Sequence, residues 1–308
     1  MIIYYISLFA IPYHFFFIFS ALVALGIHKA LYWPGYHADF ARFGTDGQRG
    51  REVSNFLLLS AFLTIIGPVA GGLIITFFGF KTLFIVVSIL ILLSNVPLLL
   101  TPEKFEPVDF SYTRAFKDLF RKEKMRKFFG YFGLGEEMIA GAVWPLFIYL
   151  VVKEYDKLGF LISASVFIGI ISALFVGRVV DKKGSVSLIR LGTIITSFCW
   201  FLRIFVAGVY SIFLIDSIYR ISRKAIGIPM ATVTYDDAKK SSIMRSVVFR
   251  EMALSVGKIF TALCGIIILS FSPIEKSWDA LFILAAIMTV FYGFFKKDLD
   301  QDIFAHKK

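Results

Sequence analysis

Long apolar stretches dominate the chain and are separated by short polar connections. A run of about 18 or more apolar residues is long enough to cross the hydrocarbon layer of a bilayer as an α-helix. The pattern predicts nine full transmembrane helices and one partial one, near 1–12 (partial), 15–37, 53–77, 82–101, 128–151, 158–177, 188–207, 210–234, 244–271 and 278–295. The expected fold class is therefore an all-α polytopic membrane protein.

Composition and charge agree with a membrane protein and exclude a soluble domain. Hydrophobic residues make up 58% of the 308 residues and charged residues only 18%. The formal net charge of +11 could suggest nucleic-acid binding, but the Lys and Arg residues concentrate in alternate connections between spans. That bias is the positive-inside pattern of an inner cell membrane protein. It predicts a multi-pass chain in the lipid bilayer, with a cytoplasmic C-terminus and no nucleic-acid partner.

One long hydrophilic stretch, 102–127, divides the predicted spans into two groups. Pro102 and Pro107 stop the preceding helix, because proline removes a backbone donor and clashes with the previous turn. The sequence therefore predicts an incomplete N-terminal helix bundle over 1–101 and a C-terminal bundle of six helices over 128–308. The basic stretch between them is expected to be a cytoplasmic linker.

The linker contains a small amphipathic pattern. Phe116, Leu119 and Phe120 stand at helical spacing among basic residues. Such a segment is typical of a short helix that lies on the anionic inner leaflet of a membrane. A solvated linker with a chance apolar stripe is the alternative.

Ionisable residues lie inside several of the apolar spans. Charge at membrane depth is costly, so chains that keep it there usually move something polar across the bilayer. The residues expected to bind substrate or line a cavity are His28, Lys29, Glu136, Glu137, Tyr219, Arg220 and Arg223. The candidate ion-pair or coupling residues are Asp216, Lys224, Arg250, Glu251 and Lys258. These positions predict a transporter with a polar central pathway.

The span 210–234 carries the densest charge. Asp216, Arg220, Arg223 and Lys224 follow at i, i+4, i+7 and i+8, which puts them on one face of a helix. Asp216 can pair with Arg220 one turn away, which leaves the other two cations as net positive charge. That face could bind a carboxylate or phosphate group through bidentate Arg contacts. Alternatively, its cations neutralise carboxylates on other helices.

Two adjacent carboxylates, Glu136 and Glu137, lie inside the span 128–151. Neighbouring residues on a helix point about 100° apart, so we expect only one of them to face a cavity. A desolvated carboxylate there could carry a proton, whereas one beside Arg223 or Arg250 would stay ionised. An interhelical ion pair that holds one conformation is the alternative to a proton carrier.

The remaining charges in spans are expected to play supporting roles. Glu251 and Lys258 share a helix face at i and i+7, whereas Arg250 lies about a quarter turn away. Arg203 is near the outer end of the span 188–207 and is expected to anchor that helix at the membrane interface.

Several motifs resemble those of the major facilitator superfamily. The stretch Gly67-Pro68-Val69-Ala70-Gly71-Gly72 is similar to the Gly-Pro-x-x-Gly-Gly element of that family's fifth helix. Gly177, Asp181 and Gly184 stand in a stretch that resembles the family's Gly-x-x-x-Asp-basic-x-Gly loop, in its second-half copy. The linker falls where the family joins two six-helix bundles. The resemblance implies a two-bundle fold, gating roles for these motif residues, and secondary transport by alternating access.

The sequence also departs from the family pattern. Counted back from the linker, the span 15–37 corresponds to the family's fourth helix. By this count the first two helices and part of the third are missing, so the chain is expected to be truncated at its N-terminus. The stretch 22–26, Leu-Val-Ala-Leu-Gly, replaces the Arg-x-x-Gln-Gly of drug antiporters, which weakens assignment to that branch.

The sequence predicts a secondary active transporter of a small solute, not an enzyme. Excess positive charge at depth favours an anionic or zwitterionic solute, and a proton is the candidate coupling ion. The four histidines show no metal-ligand spacing, and no Gly-rich phosphate loop is present, so we expect no metal and no cofactor. The alternatives are an inactive fragment, a non-transporting membrane protein, and an enzyme that acts on lipid-linked substrates.

Overall fold

The computed structural model describes residues 1–42, 49–100, 111–183, 185–240 and 243–295. All the regular secondary structure within these ranges is helical. The α-helices are α1 (Ile2–Ala10), α2 (Phe16–Arg42), α3 (Arg49–Leu99), α4 (Tyr112–Leu119), α5 (Met125–Phe132), α6 (Glu136–Met138), α7 (Trp144–Val152), α8 (Tyr155–Lys183), α9 (Ser185–Leu202), α10 (Val209–Lys240), α11 (Ile243–Phe271) and α12 (Ile274–Val290). Short 3₁₀ or π turns join some of them, so the all-α prediction agrees with the described chain.

The predicted count of nine full transmembrane helices is not confirmed. Within the described residues, 6 helices are long and apolar enough to cross a membrane: Leu59–Pro97, Lys122–Val152, Tyr155–Ala173, Val186–Phe205, Arg245–Phe271 and Lys276–Phe294. A shorter apolar helix covers Phe16–Tyr32. The first of the 6 covers most of two predicted spans, 53–77 and 82–101, and non-helical backbone at Gly79 separates the two helical parts. The φ of 78° at Gly79 lies in the left-handed region that glycine adopts without steric cost.

The chain divides into two compact units. The first comprises Met1–Phe110 with Glu154–Ser163, and the second comprises Ser111–Lys153 with Ala164–Lys308. The start of α8 therefore groups with the first unit. The bundles predicted over 1–101 and 128–308 stay a prediction.

In the first unit, the glycine motif of α3 packs closely on the start of α8. A Cβ added at Gly72 would lie 2.5 Å from the Tyr155 carbonyl oxygen, and one added at Gly159 would meet the Pro68 carbonyl oxygen. The Ser163 hydroxyl donates to the Ile65 carbonyl oxygen at 2.6 Å in the same contact. Small residues thus allow two helix backbones to approach, as the motif predicts.

The second unit has an apolar core between its helices. Tyr131 from α5, Ile226 and Met230 from α10, and Phe249 from α11 are buried in one cluster, which Leu119 from α4 joins. A further close approach lies next to the adjacent carboxylates Glu136 and Glu137. A Cβ at Gly135 would collide with the Gly257 carbonyl oxygen of α11. Glycine at these positions therefore sets α6 directly against α11.

The linker contains the short helix that its apolar spacing predicts. Helix α4 begins after Ser111, whose hydroxyl accepts the Arg114 amide at 3.4 Å as an N-cap. Asp118 is buried and accepts the Arg245 Nε of α11 at 2.7 Å. Burial raises the pKa of the Asp118 carboxyl, but the hydrogen bond from Arg245 and the charge of Lys124 outweigh it. The net effect holds the pKa of Asp118 below its ordinary value.

Candidate functional site

The buried charges of the second unit converge on one face of α10. Residues Asp216, Tyr219, Arg220 and Arg223 follow at i, i+3, i+4 and i+7 of that helix, so they share a face. Their partners lie on α6, α7, α8 and α9 and in the turns after α9 and α12, and one of these partners, Glu137, also binds Lys258 of α11. We call this set of contacts the α10 charge network.

Asp216 is the centre of one half of the network. Its carboxylate is buried and accepts hydrogen bonds from Trp144 Nε1 at 2.9 Å and Ser165 Oγ at 2.6 Å. Arg220 Nε donates to Asp216 at 2.8 Å and also to Ser165 at 2.9 Å. The predicted i, i+4 pair between Asp216 and Arg220 is therefore confirmed. A carboxylate with this many donors is well compensated for its removal from water.

Arg203 does not anchor α9 at a membrane interface, and that prediction is wrong. Its side chain is 0% exposed, and Nη2 lies 3.4 Å from the Asp216 carboxylate. The guanidinium carbon lies 4.0 Å from the ring centre of Trp144, 3.8 Å from that of Trp200 and 4.3 Å from that of Tyr219. Arg203 lies near the end of a span, but its side chain points into the protein interior and not to the membrane surface. The three rings form a cage in which cation–π attraction stabilises the buried charge.

Glu136 is the centre of the other half of the network. The side chain is 0% exposed, and Arg223 Nε lies 3.1 Å from Oε1. Trp200 Nε1 donates at 3.0 Å, Tyr219 Oη donates at 3.1 Å, and Tyr292 Oη donates at 3.3 Å. Trp200 and Tyr219 also form the cage around Arg203, so these two side chains contact both halves of the network.

Glu137 differs from its neighbour in exposure and in partners. Its side chain is 39% exposed, and its two oxygens accept from Arg223 Nη2 at 2.9 Å and Lys258 Nζ at 3.0 Å. One carboxylate therefore links α6 to both α10 and α11. The two adjacent glutamates therefore have different surroundings, and the expectation that only one of them faces a cavity stays a prediction.

The helix that carries both glutamates is irregular. A π-helical turn, Ile139–Val143, separates α6 from α7, and Pro145 lies in the first turn of α7. Because the chain is helical on both sides of Pro145, the missing N–H of this proline removes one hydrogen bond from the helical run. π-turns often mark functional sites, and this one lies between the glutamates and Trp144, which contacts Asp216.

The other predicted charges lie at the margin of the network. Arg250 pairs with its neighbour Glu251, and both side chains are partly exposed. Lys258 binds Glu137 rather than Glu251, with which it shares a helix face. Lys224 is exposed. These positions agree with supporting roles, which stay a prediction.

Two predicted cavity residues belong to the first unit. His28 is half-buried and stacks on Tyr32 with ring centres 5.0 Å apart, and Lys29 is exposed. Their part in a substrate pathway stays a prediction.

The two glycine motifs are only partly described. Gly67 and Gly71 have no heavy atom within 4 Å of an added Cβ, so the close approach depends on Gly72. Gly177 and Asp181 lie near the end of α8, and the surroundings of these two residues are not among those described. Gly184 lies outside the described residues. The gating roles of all these residues stay a prediction.

The network combines fully buried charges with partly exposed ones. Glu136, Asp216 and Arg203 are sealed from solvent, whereas Glu137, Arg220, Arg223 and Lys258 retain partial exposure. The exposed set contains three cations and one carboxylate. Among the described residues, no group of three or more His, Cys, Asp and Glu side chains could hold a metal ion.

Several partners in the network were not expected from the sequence. These partners are Trp144, Ser165, Trp200 and Tyr292. A buried tryptophan N–H or tyrosine O–H usually needs a hydrogen-bond acceptor. These residue types in apolar spans could therefore have predicted bonds to the buried carboxylates. Which carboxylate accepts each bond depends on how the helices pack.

Comparison with known proteins establishes the class. The model of the Major Facilitator Superfamily matches residues 1–238. The chain belongs to this family, and it is a multi-pass membrane transporter rather than an enzyme. A curated relative, described as "Multi-drug resistance efflux pump PmrA homolog" of Lactococcus lactis subsp. lactis (strain IL1403), is 23% identical over 280 residues. The alignment covers 86% of this chain and 69% of that protein.

Proposed function

We propose that this chain moves a small solute across the cell membrane by alternating access, in a cycle coupled to protons. The observation that carries the proposal is the bridge at Glu137. Its carboxylate binds Arg223 on α10 and Lys258 on α11, yet its side chain keeps 39% of its exposure. It is the carboxylate of the network that an incoming proton can reach from solvent.

Exchange at this bridge provides the coupling. Protonation of Glu137 removes the charge that holds Arg223 and Lys258, since a neutral carboxyl attracts cations weakly. A carboxylate or phosphate of the solute can then take the vacated place, with Arg223 supplying paired N–H donors. The proton and an anionic or zwitterionic solute would therefore bind together.

The same exchange can drive the conformational change. Glu137 ties α6 to α10 and α11, so loss of the bridge releases one constraint between these helices. The π-turn at Ile139–Val143 gives the helix a place to bend. A solute shifts such an equilibrium by its difference in affinity for the two states, and a freed pair of cations supplies that difference.

A cationic solute is the second candidate. The relative in L. lactis is described as a multi-drug resistance efflux pump, and aromatic rings that surround the Arg203 guanidinium support the idea that similar rings could bind a cationic solute. A cationic solute would compete with Arg223 and Lys258 for Glu137. Proton and solute would then exchange in opposite directions, which favours export.

The test uses the purified full chain in liposomes that contain a pH-sensitive dye. Organic carboxylates, zwitterionic amino acids and an aromatic cationic dye are added in turn, with and without an imposed pH gradient. We expect one anionic or zwitterionic class to move protons, and Glu137→Gln to abolish this coupling. Glu251→Gln is the matched control, because Glu251 pairs only with its neighbour among the described contacts.

Each outcome distinguishes one claim. Proton movement that only the cationic dye elicits would overturn the solute class and leave the bridge mechanism. Coupling that persists in Glu137→Gln would overturn the role of the bridge. Uptake of no solute at all would favour the alternative that the chain by itself is an inactive fragment.

A further inference from the structure

Helix α4 is held to the second unit by one side only. Ala115, Asp118 and Leu119 on this side are buried, and Leu119 joins the apolar core. Asp118 binds Arg245 of α11, and Lys124 Nζ lies 3.3 Å from the same carboxylate. The helix is therefore a fixed part of the fold and not a free segment of linker.

The opposite side of α4 exposes two aromatic rings. Phe116 is 55% exposed and Phe120 is 64% exposed, and their ring centres lie 5.5 Å apart in an edge-to-face arrangement. Adjacent exposed phenylalanines form an apolar ridge that is unfavourable in water. Such a ridge usually indicates contact with a membrane or another molecule.

Charge next to this ridge has a single dominant sign. Arg114, Lys117, Arg121 and Lys122 are exposed, against one exposed carboxylate at Glu123. The acidic residue of α4 itself, Asp118, is turned inwards and neutralised by cations. The outer surface of this segment is thus aromatic and cationic, which complements an anionic partner.

The position of α4 identifies that partner. The helix ends at Leu119, and the candidate span Lys122–Val152 begins three residues later. Its anchor Arg245 is the first residue of another candidate span, Arg245–Phe271. Helix α4 is therefore tied to the level at which two spans enter the membrane, where lipid headgroups lie.

We propose that α4 and the turn after it form a binding site for the headgroups of anionic phospholipids. Phosphate oxygens accept hydrogen bonds from Arg114 and Lys117, while Phe116 and Phe120 lie among the first carbons of the acyl chains. Helices of this composition bind in the plane of the interface through apolar area and electrostatic attraction together. The site is separate from the α10 charge network, so it does not depend on the proposed transport cycle.

The electrostatic part is tested with the full chain in detergent micelles. Short-chain phosphatidylglycerol and phosphatidylcholine are titrated in parallel, and the rise in unfolding temperature reports binding to the native state. In Arg114→Gln combined with Lys117→Gln, phosphatidylglycerol binding should weaken about 25-fold, since each cation near an anionic surface contributes about 1 kcal/mol. Lys153→Gln combined with Lys276→Gln removes the same charge elsewhere and should leave binding unchanged.

The apolar part is tested by the depth of a spin label. With Cys199 and Cys264 replaced by Ala, a label at Phe116→Cys should be accessible to oxygen and protected from a water-soluble relaxant in vesicles containing phosphatidylglycerol. A label at Glu154→Cys, which is exposed between two candidate spans and lies outside α4, should stay accessible to the water-soluble relaxant.

Three results would overturn the proposal. These are equal phosphatidylglycerol affinity in the Arg114 and Lys117 variant, an equal loss in the control variant, or a water-exposed label at position 116. The last result would leave the ridge available to a soluble partner instead.

Discussion

Removal of the Asp216 carboxylate should destabilise the second unit far more than removal of a peripheral carboxylate. In Asp216→Ala, the guanidinium of Arg203 stays fully buried but loses the carboxylate 3.4 Å from its Nη2. Its Nε and Nη1 already have no hydrogen-bond partner among the described residues. An uncompensated buried charge typically costs about 3–5 kcal/mol. Loss of the Arg220 ion pair adds less to this cost, because Arg220 is partly exposed and water can replace the missing carboxylate.

The assay is the free energy of unfolding in mixed micelles, followed by tryptophan fluorescence. Trp144 donates to Asp216 directly, so its emission should report the loss of local order. Glu251→Ala is the control and should cost about 0–1 kcal/mol, as is usual for a partly exposed ion pair. If Asp216→Ala costs no more than Glu251→Ala, then the α10 charge network does not hold this unit together.

Two further predictions concern Asp118 on α4 and the contact of α3 with the start of α8. Asp118 should make stability sensitive to acid: because its native pKa is depressed, its contribution is complete above the ordinary value of 3.8 and is lost as the pH falls through the lower native pKa. An acid titration of unfolding should show this loss, and Asp118→Asn should flatten it. Gly72→Val should weaken the contact of α3 with the start of α8 by about 1–3 kcal/mol, because the new side chain meets the Tyr155 carbonyl oxygen. Gly71→Val is the control, and an equal cost in both variants would contradict the close approach.

Some of the site followed from one helix alone and was predictable. The pairing of Asp216 with Arg220 needs only the helical repeat, which brings residues four apart onto one face. The different surroundings of Glu136 and Glu137 follow from the same geometry.

Contacts between helices could not be predicted in the same way. The partners of Arg223 were left open between a solute and a carboxylate, because the choice depends on how α6 and α10 pack. Arg203 was misplaced for a related reason, since depth along a span does not determine whether a side chain faces lipid or the interior. The break between the predicted spans 53–77 and 82–101 falls at Gly79, where the backbone leaves the helical conformation.

The central claim is that Glu137 takes up the coupling proton while Arg223 and Lys258 are released. Infrared difference spectroscopy of the reconstituted chain measures this directly, because a protonated carboxyl group has a carbonyl stretch that a carboxylate lacks. Other carboxylates also titrate, so we predict that the protonated-carboxyl band formed on acidification contains one component that is present in the unmodified chain and in Glu251→Gln and is missing in Glu137→Gln. The same band at full intensity in Glu137→Gln would contradict the account.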